Sequence, residues 1–431
     1  MKRLFKFLEG HKSLKSSRLQ IFIMKGCDYM DIIVQKYGGT SMADATCIKN
    51  VAQKVIRAKK SGKKVVVVVS APAGMTDDLI RRAKEVNDQP AGRELDMILA
   101  TGEQVSISLL AMAVKQMGEE AISFTSAQVG IITDGNHNKA KIEAINTEKI
   151  LQELAQDKVV IIAGFQGVTK ELEITTLGRG GSDTSAVAMG VALNATEVEI
   201  YTDVDGIYTA DPRIVKNAHK IERISFDEML EMAGSGAKVL HLRSVELAAK
   251  NNLPIHLRSS FTDTTGTYVV GEDISMEKVF VRGVAHTTNN AKITISNVEH
   301  TSKNIAYIFN EISKANINVD VITQNYVTKE RITIAYTVPE EDFDKAFALT
   351  QKISLNVGSD NVTGDKNVAK VCVIGVGMKS TPGVAARVFE CLSEANVDID
   401  LISTSDINIT CVVSETDYNK AVLAIHNTFE L

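Results

Sequence analysis

Residues 65–69 read Val-Val-Val-Val-Val, and this run is the strongest indication of the fold. β-branched residues favour extended backbone, and a continuous apolar run of this length suits a strand that is buried on both faces of a parallel sheet. Four further runs predict strands: Ile32–Lys36, Ala121–Thr125, Val159–Ala163 and Val198–Tyr201.

Helical patterns lie between these strands. Apolar residues at 48, 51, 52, 55 and 56 recur at the spacing of one helix face. Longer stretches predict helices over Leu95–Lys115 and Ser182–Leu193. Strands that alternate with helices in this way predict an α/β sandwich with a mainly parallel central sheet.

The character of the chain changes near residue 280, where a degenerate internal repeat begins. Ala315–Gln324 resembles Ala395–Thr404, 80 residues later, and an amphipathic helix precedes each copy. A second strand and a second helix follow each copy, which predicts two ferredoxin-like βαββαβ modules. We therefore expect a catalytic domain over residues 30–278 and two regulatory modules within 279–431. The modules are placed at about 291–360 and 368–431, consecutive or interleaved.

Composition excludes several classes of protein. A chain of 431 residues predicts two or three domains. The net charge of −5 and the absence of Trp argue against nucleic-acid binding and a basic membrane-surface protein. No uninterrupted apolar run approaches the roughly 20 residues of a membrane span. Five cysteines without CxxC spacing predict no metal site and no disulfide framework, and favour a reducing cytoplasm.

Residues 1–29 are basic, with seven Lys or Arg against Glu9 and Asp28. The segment lacks the apolar core of a secretory signal. It is expected to be a disordered extension, or a translated segment upstream of a true start at Met30, rather than a targeting arm.

The first candidate site motif is Lys36-Tyr-Gly-Gly-Thr-Ser41, between a strand and a helix. Gly38 and Gly39 let the backbone approach a ligand closely, and the N-terminus of the following helix favours an anion. Lys36 adds a positive charge, and the hydroxyls of Thr40 and Ser41 add donors. The alternative is a tight turn between strand and helix with no ligand.

The second motif is Leu177-Gly-Arg-Gly-Gly-Ser-Asp-Thr-Ser185, which opens another helix. Arg179 is suited to bind a carboxylate in a bidentate manner. Asp183 fits both a helix cap and a catalytic role. Three glycines around an arginine are difficult to explain by packing alone.

Two further stretches carry acidic residues. Residues 201–213, Tyr-Thr-Asp-Val-Asp-Gly-Ile-Tyr-Thr-Ala-Asp-Pro-Arg, follow a strand, and loops at the carboxyl ends of parallel strands bind ligands. The alternative is an acidic surface loop. Glu103 lies between Leu99, Val105 and Leu109, so it is either a solvated helix residue or a functional carboxylate.

Three other phosphate- or nucleotide-binding patterns are absent from the sequence. It contains no GxxxxGK[ST] loop and no HRD or DFG protein-kinase set. The Gly-Val-Gly at 375–377 is followed by Met-Lys-Ser-Thr-Pro-Gly, which breaks the dinucleotide fingerprint GxGxxG.

Taken together, the motifs resemble those of the aspartate kinases of the amino-acid kinase superfamily. They stand in that family's order and the resemblance covers roughly residues 30–431. The matching stretches are QKYGGTS at 35–41, SAPAGMTDDL at 70–79, TGEQ at 101–104, TLGRGGSDTSA at 176–186, YTDVDGIYTADPR at 201–213 and AKVLHLRSVELA at 237–248. The resemblance implies a three-layer kinase sandwich followed by two ACT modules.

The resemblance also implies roles for individual residues. The residues implied for phosphate transfer are Lys36, Gly38, Gly39 and Asp183. Asp183 would orient Lys36 rather than act as a base. Arg179 would bind the α-carboxylate of L-aspartate and Glu103 its α-amino group, with Thr40, Ser70, Thr76 and Ser182 around them. The residues implied for ATP are Lys36, Tyr201, Thr202, Asp203, Tyr208, Asp211, Arg213 and Lys238. Mg²⁺ would be held mainly by the ATP phosphates, and no protein metal site is expected.

ACT modules imply feedback control by an amino acid, lysine first and threonine second. They also imply a place at the first step of lysine, threonine and methionine biosynthesis and a homodimer or dimer of dimers. The second module has Pro382-Gly383 before its helix, whereas the first has Glu-His-Thr-Ser-Lys-Asn at 299–304. The effector site of one module is therefore expected to be altered or lost, which leaves control by both lysine and threonine open.

Three rival functions were weighed. Other kinases of the superfamily act on glutamate, N-acetylglutamate, carbamate or UMP, and Glu103 with the double ACT tail argues against them. A catalytically inactive amino-acid sensor is disfavoured by the presence of Lys36, Arg179 and Asp183. A nicotinamide oxidoreductase is disfavoured by the missing fingerprint. The chain ends soon after the second module, so no homoserine dehydrogenase half is expected.

Overall fold

The computed structural model describes residues 30–237, 239–271, 281–359 and 361–431, apart from the side chains of Lys379 and Ser380. The predictions for residues 1–29 and for Lys238 lie outside these ranges. The chain divides into two compact units. The described part of the first is 30–207, 221–229 and 239–271, and that of the second is 208–220, 230–237, 281–359 and 361–431. The segments 208–220 and 230–237, which sequence assigned to the catalytic domain, thus group with the tail.

An eight-stranded sheet forms the centre of the first unit, in the order β12-β14-β13-β9-β1-β2-β6-β3. All its neighbours pair in parallel except β13 and β14. A four-stranded sheet, β5-β4-β7-β8, lies beside it in the same unit. The strands of the chain as far as Gly271 are β1 (Ile32–Tyr37), β2 (Lys64–Val69), β3 (Ala121–Phe124), β4 (Ile131–Thr133), β5 (Ile142–Ile145), β6 (Val159–Ala163), β7 (Gln166–Val168), β8 (Ile174–Thr176), β9 (Glu197–Thr202), β10 (Ile207–Tyr208), β11 (Lys220–Ile221), β12 (Arg223–Ser225), β13 (Ile255–Ser259) and β14 (Thr267–Val270).

Helices cover the central sheet, and the core forms as the periodicity predicts. All five valines of β2 are buried, and the apolar stripe of α1 packs in one core with Val65, Val67 and Val69. Asp44 caps α1 by accepting the N–H groups of Thr46 and Cys47. The helices are α1 (Ala45–Lys60), α2 (Met75–Val86), α3 (Gly92–Leu99), α4 (Thr101–Gln116), α5 (Ser126–Val129), α6 (Glu148–Ala155), α7 (Gly181–Ala192), α8 (Phe226–Gly234) and α9 (Leu242–Asn251). The α/β class with a mainly parallel central sheet is confirmed.

The single helix predicted over Leu95–Lys115 is two helices, α3 and α4, which meet at Ala100. Within the described residues, the stretch Gly92–Gln116 is the one helical segment long and apolar enough to cross a membrane. Half of its most apolar window is buried inside the fold. Leu110 and Val114 of α4 pack in the core of the central sheet, which is the environment of a core helix.

The second unit contains a six-stranded antiparallel sheet, β16-β17-β15-β18-β20-β19. Each half carries two helices and its own hydrophobic core. Its strands are β15 (Gly283–Glu299), β16 (Ile322–Tyr326), β17 (Arg331–Pro339), β18 (Asn361–Ile374), β19 (Ile399–Thr404) and β20 (Asn408–Ser414). Its helices are α10 (Ser302–Lys314), α11 (Phe343–Ser354), α12 (Val384–Glu394) and α13 (Tyr418–Thr428).

The long central strand β15 serves both halves. Val284, near its start, packs with the helices α12 and α13, whereas Ile293 packs with α10 and α11. The two modules also begin their first helices differently. Thr301 caps α10 by accepting the N–H of Asn304, at 3.1 Å. Gly383 precedes α12 in the left-handed region at φ 92°, a conformation that glycine adopts without strain.

Candidate active site

The candidate site lies where four parallel strands of the first unit end together. β9, β1, β2 and β6 are neighbours in that order, and their last residues are Thr202, Tyr37, Val69 and Ala163. Crevices at the carboxyl ends of such strands are the usual ligand sites of open α/β sheets. Three of the four sequence motifs that predicted function, those at 36–41, 101–104 and 177–185, contribute to this edge, and the fourth contributes its first two residues, Tyr201 and Thr202, at the end of β9.

Lys36 on β1 forms an ion pair with Asp183, in the first turn of α7. The Nζ–Oδ1 distance is 2.6 Å, and Lys36 is 9% exposed. A nearly buried ammonium requires a partner of opposite charge. Asp183 therefore holds the Lys36 ammonium at the strand ends.

Gly38 and Gly39 pass close to this pair. A Cβ on Gly38 would lie 3.5 Å from Lys36 Nζ, and one on Gly39 would lie 3.0 Å from the carbonyl oxygen of Ala71. The Gly39 carbonyl accepts the N–H of Ala73, at 3.0 Å. A side chain at 38 would fill the space beside the ammonium, so Gly38 keeps the Lys36 Nζ accessible to a ligand, whereas one at 39 would press on the backbone of residues 71–73.

The loop before α7 is shaped by two glycines, Gly178 and Gly180. Gly178 and Gly180 have φ of 77° and 68°, and a Cβ on Gly180 would overlap the ring of His241. Arg179 between them is exposed and makes no hydrogen bond or ion pair with any residue that the structure describes. Its guanidinium is available to a ligand anion.

Glu103, in the first turn of α4, is the most unusual carboxylate of the site. It is 2% exposed. Its Oε1 accepts the N–H of Ala71, at 3.1 Å, whereas its buried Oε2 has no partner among the described residues. Burial raises the pKa of Glu103 to about 7. An unpaired buried carboxylate oxygen is satisfied by a cation, and a primary ammonium fits this need.

Four hydroxyl residues that were predicted to line the pocket differ in position. Ser182 is buried, and its Oγ would lie 2.9 Å from a Cβ on Gly164. Ser70 follows β2, and its N–H donates to the carbonyl of Tyr37, at 3.0 Å. Thr76 is half-buried at the start of α2, and Thr40 is exposed. Within the described residues the hydroxyls of Thr40 and Thr76 carry no hydrogen bond.

The end of β9 holds part of the predicted nucleotide set. The buried Tyr201 ring stacks on Tyr37 with centroids 4.6 Å apart, and its carbonyl accepts the N–H of Gly38, at 3.3 Å. The Thr202 hydroxyl donates to the exposed Asp203, at 3.0 Å. These contacts tie the end of β9 to the glycine turn after Lys36.

The other predicted nucleotide residues lie outside the described part of the first unit. Tyr208, Asp211 and Arg213 belong to the second unit. Arg213 forms a bidentate pair with Asp211, with a shortest distance of 2.6 Å, which lowers the pKa of the Asp211 carboxyl. Lys238 lies outside the described residues.

A buried polar network that was not predicted from sequence lies on the opposite face of β1 from Lys36. Glu199 of β9 accepts from Gln35 Nε2 at 2.6 Å and from an Arg258 N–H at 2.9 Å. The Tyr201 hydroxyl donates to the same carboxylate, at 3.3 Å. This network could have been predicted from a polar residue at an inward position of a buried strand, because a buried polar group must find hydrogen-bond partners.

A second missed group is Asp96 of α3, whose carboxylate is fully buried. It accepts hydrogen bonds from the loop at 137–138 and from Thr176. Local spacing gave no signal for it, because its partners lie 41 to 80 residues away in the chain.

The arrangement as a whole suits transfer of a phosphate group to an anionic acceptor. Lys36, the Gly38–Gly39 turn and the N-terminus of α7 supply positive charge and N–H groups. Glu103 and Arg179 supply the two opposite charges that a zwitterionic amino acid requires. Among the described residues, no group of three or more His, Cys, Asp or Glu is arranged to hold a metal ion.

Comparison with known proteins defines the class. The model of the amino acid kinase family matches residues 31–259, and the ACT domain model matches residues 371–429. The chain thus has the fold of a kinase of the amino acid kinase family with ACT modules.

Individual relatives define the family more narrowly. The chain is 46% identical over 407 residues to the aspartokinase of Mycolicibacterium smegmatis, covering 93% of this chain and 97% of that protein. It is 46% identical over 403 residues to the aspartate kinase of Pseudomonas putida, covering 93% and 98%. The chain therefore belongs to the aspartokinases, enzymes that phosphorylate aspartate.

Two solved structures agree. E. coli aspartokinase III in complex with aspartate and ADP matches 93% of this chain and 100% of that chain, with TM-score 0.78 and 26% identity. The same enzyme with lysine and aspartate matches with TM-score 0.72 and 27% identity, at the same coverage. The expected three-layer kinase fold with ACT modules, the use of ATP and the kinase activity are thereby confirmed.

Proposed function

We propose that Lys36, held by Asp183, neutralises the γ-phosphate of ATP while it moves to the side-chain carboxylate of L-aspartate. The observation that carries this proposal is the 2.6 Å ion pair at the carboxyl end of β1, with Gly38 leaving space beside Nζ. Phosphoryl transfer passes through a loose transition state with charge spread over the phosphate oxygens. Fixed positive groups stabilise that charge.

The acceptor needs no general base. A free aspartate side chain has a pKa near 3.9, so it is ionised at neutral pH. The barrier lies in bringing this anion up to a polyanion. Asp183 accordingly orients the Lys36 ammonium and takes no proton from the substrate. Gly39 presents its backbone N–H to the transferred phosphate, whereas the Gly38 N–H donates to the Tyr201 carbonyl and Gly38 contributes the space beside Nζ.

Glu103 and Arg179 are proposed to recognise the amino-acid end of aspartate. The free Oε2 of Glu103 pairs with the α-ammonium, and Arg179 binds the α-carboxylate. Thr40, Ser70, Thr76 and Ser182 are proposed to line the same pocket. This division of charge explains selection of an α-amino acid over an acylated one, since N-acetylation removes the cation that Glu103 requires.

For the nucleotide, Tyr201, Thr202 and Asp203 at the end of β9 are the best supported contacts, because Tyr201 is bonded to the glycine turn. Tyr208, Asp211, Arg213 and Lys238 are proposed from the family resemblance alone. Mg²⁺ bound to the ATP phosphates would supply further charge neutralisation. The exposed Asp203 carboxylate is chemically suited to such an ion or its waters.

The experiment traps the product. Purified protein with ATP, Mg²⁺ and L-aspartate is assayed with hydroxylamine, which converts an acyl phosphate to a hydroxamate. L-Glutamate, N-acetyl-L-aspartate and no acceptor run in parallel. Hydroxamate from L-aspartate alone supports the proposed site, whereas equal hydroxamate from N-acetyl-L-aspartate contradicts the role of Glu103.

We propose that residues 30–278 are the catalytic domain and 279–431 the regulatory modules of a cytoplasmic homodimer or dimer of dimers. The enzyme would act at the first step of lysine, threonine and methionine synthesis, with lysine as the leading feedback effector and threonine second. The E. coli relative crystallised with lysine supports the choice of lysine. The different starts of α10 and α12 suggest unequal effector sites.

Regulation is tested by titrating lysine and threonine, separately and together, into the hydroxamate assay. Inhibition by lysine supports the proposal, and inhibition by threonine alone would reverse the order of effectors. Sedimentation with and without effector measures the oligomeric state.

A further inference from the structure

Behind the Arg179 loop lies a buried carboxylate that the reaction itself does not use. Asp96 of α3 is 0% exposed. Its Oδ2 lies 2.8 Å from His137 Nδ1 and 3.1 Å from the backbone nitrogen of Asn138. The Asn138 side-chain amide and the Thr176 hydroxyl donate to Oδ1. All of these partners belong to the first unit.

This carboxylate is joined to the Arg179 loop by two routes. Thr176 is the last residue of β8, three positions before Arg179. On the other side, a Cβ on Gly178 would lie 3.0 Å from the carbonyl oxygen of Asn138. The backbone on each side of Leu177 thus lies close to groups that Asp96 holds.

Arg243 of α9 completes the support. It donates to the carbonyl of Leu177 at 3.1 Å and to that of Ala140 at 2.9 Å, so it bridges the same two loops. Arg179, by contrast, has no partner of its own among the described residues. The place of its guanidinium is therefore set by the backbone of residues 177–180.

We propose that Asp96 is a positioning residue for the binding of the acceptor's α-carboxylate. It holds the 137–138 loop and Thr176 so that the turn at Gly178 presents Arg179 to the ligand. The inference rests on the proposed role of Arg179. It predicts a specific defect, because a displaced guanidinium weakens aspartate binding while the Lys36–Asp183 pair stays intact.

A purely structural role would give a different result. Loss of any buried hydrogen-bond network lowers stability, but it gives no reason for the KM of one substrate to change alone. A matched control exists in the four-stranded sheet β5-β4-β7-β8, which also contains Thr176. The buried hydroxyls of Thr133 and Thr175 lie 2.6 Å apart, and Thr133→Val removes that bond without touching Asp96.

The experiment measures kcat, KM for aspartate, KM for ATP and thermal stability of the full chain. The variants are Asp96→Asn, Asp96→Ala, Thr133→Val and Arg179→Ala. Asp96→Ala is expected to raise KM for aspartate about tenfold or more, and Asp96→Asn about threefold. KM for ATP should stay within about twofold in both. Thr133→Val is expected to lower thermal stability and leave KM for aspartate unchanged.

Each outcome has one meaning. If Asp96→Ala does not fold, Asp96→Asn decides alone: a raised KM for aspartate supports the inference and an unchanged one overturns it. An equal rise in both KM values would mark general damage and overturn it as well. If Arg179→Ala leaves KM for aspartate unchanged, the proposed role of Arg179 fails and this inference with it. If Arg179→Ala raises that KM but neither Asp96 variant does, only the inference about Asp96 fails.

Discussion

Lys36 and Glu103 are both nearly buried charged residues of one site, yet their charges are balanced in different ways. Lys36 is paired with Asp183 within the protein. Glu103 receives one backbone N–H, and its second oxygen has no partner among the described residues. We call Lys36 and Asp183, which are proposed to act in phosphate transfer, the transfer side of the site, and Glu103 and Arg179, which are proposed to bind aspartate, the acceptor side. The charges of the transfer side are paired before substrate binds, whereas those of the acceptor side have no charged partner in the described part of the chain until the substrate brings one.

The difference follows from what each side must do. A group that stabilises a transition state is most effective when its position is fixed beforehand. A group that selects a substrate gains specificity when it is left unsatisfied without the right ligand. The second arrangement lowers the stability of the protein when no substrate is bound, and the raised pKa of Glu103 reflects this.

The largest effect is expected from Lys36→Ala. Loss of the fixed ammonium should lower kcat about 10²- to 10³-fold, with little change in KM for aspartate, since Glu103 and Arg179 remain. Steady-state kinetics with each substrate varied measures this. Lys49→Ala, an exposed lysine on α1, is the control and should behave as the unmodified chain. A change confined to KM in Lys36→Ala would contradict the comparison.

Glu103→Gln should affect binding rather than turnover. Because the pKa of Glu103 is about 7 and the ionised form pairs with the ammonium, KM for aspartate should rise about tenfold from pH 8 to pH 6 in the unmodified chain. In Glu103→Gln the KM should be high and flat over this range. A variant that kept the pH dependence would assign it to another group.

Asp183→Asn should give an intermediate result. The amide keeps the shape of the side chain but removes the charge that fixes Lys36, so kcat is expected to fall about tenfold while KM for aspartate stays nearly constant. Measurement of kcat for Lys36→Ala, Asp183→Asn and the double variant tests the pairing. Fully additive losses would show that the two residues act independently.

The smallest effect is on stability. The pKa of Glu103 is higher in the folded protein than in the unfolded chain, so the unfolded chain loses this proton first as pH rises. The free energy of unfolding therefore decreases as pH rises from about 4.5 to 7. Glu103→Gln should therefore stabilise the free protein at pH 8 by on the order of 1–3 kcal/mol, and less at pH 5. Denaturant unfolding at the two pH values measures this. Equal changes at both would mean that Glu103 carries no ionisation penalty.

What sequence could predict depended on how local the signal was. The valine run, the amphipathic stripe of α1 and the glycine motifs gave the class and the main strands, because each depends on neighbouring residues. The division of the predicted helix at Ala100 was missed, since both halves keep one apolar face. The modules were recognised through their repeat, but the sharing of β15 between two cores follows from strand pairing across the sheet.

The site shows the same limit. Lys36, Glu103, Arg179 and Asp183 were predicted as site residues because unusual residue types stand in glycine-rich or apolar surroundings. Asp96 and the Glu199 network were not, because their importance lies in partners that are distant in the chain. The grouping of residues 208–220 with the second unit likewise depends on tertiary packing that no local pattern records.

The most direct test of the difference between the two sides is calorimetric titration of L-aspartate into the unmodified chain, Lys36→Ala and Glu103→Gln at pH 8, with turnover measured on the same samples. Lys36→Ala should bind aspartate as the unmodified chain does and turn over at least 100-fold more slowly. Glu103→Gln should lose most of its aspartate binding. Normal binding by Glu103→Gln, or lost binding in folded Lys36→Ala, would contradict the division into a completed transfer side and an open acceptor side.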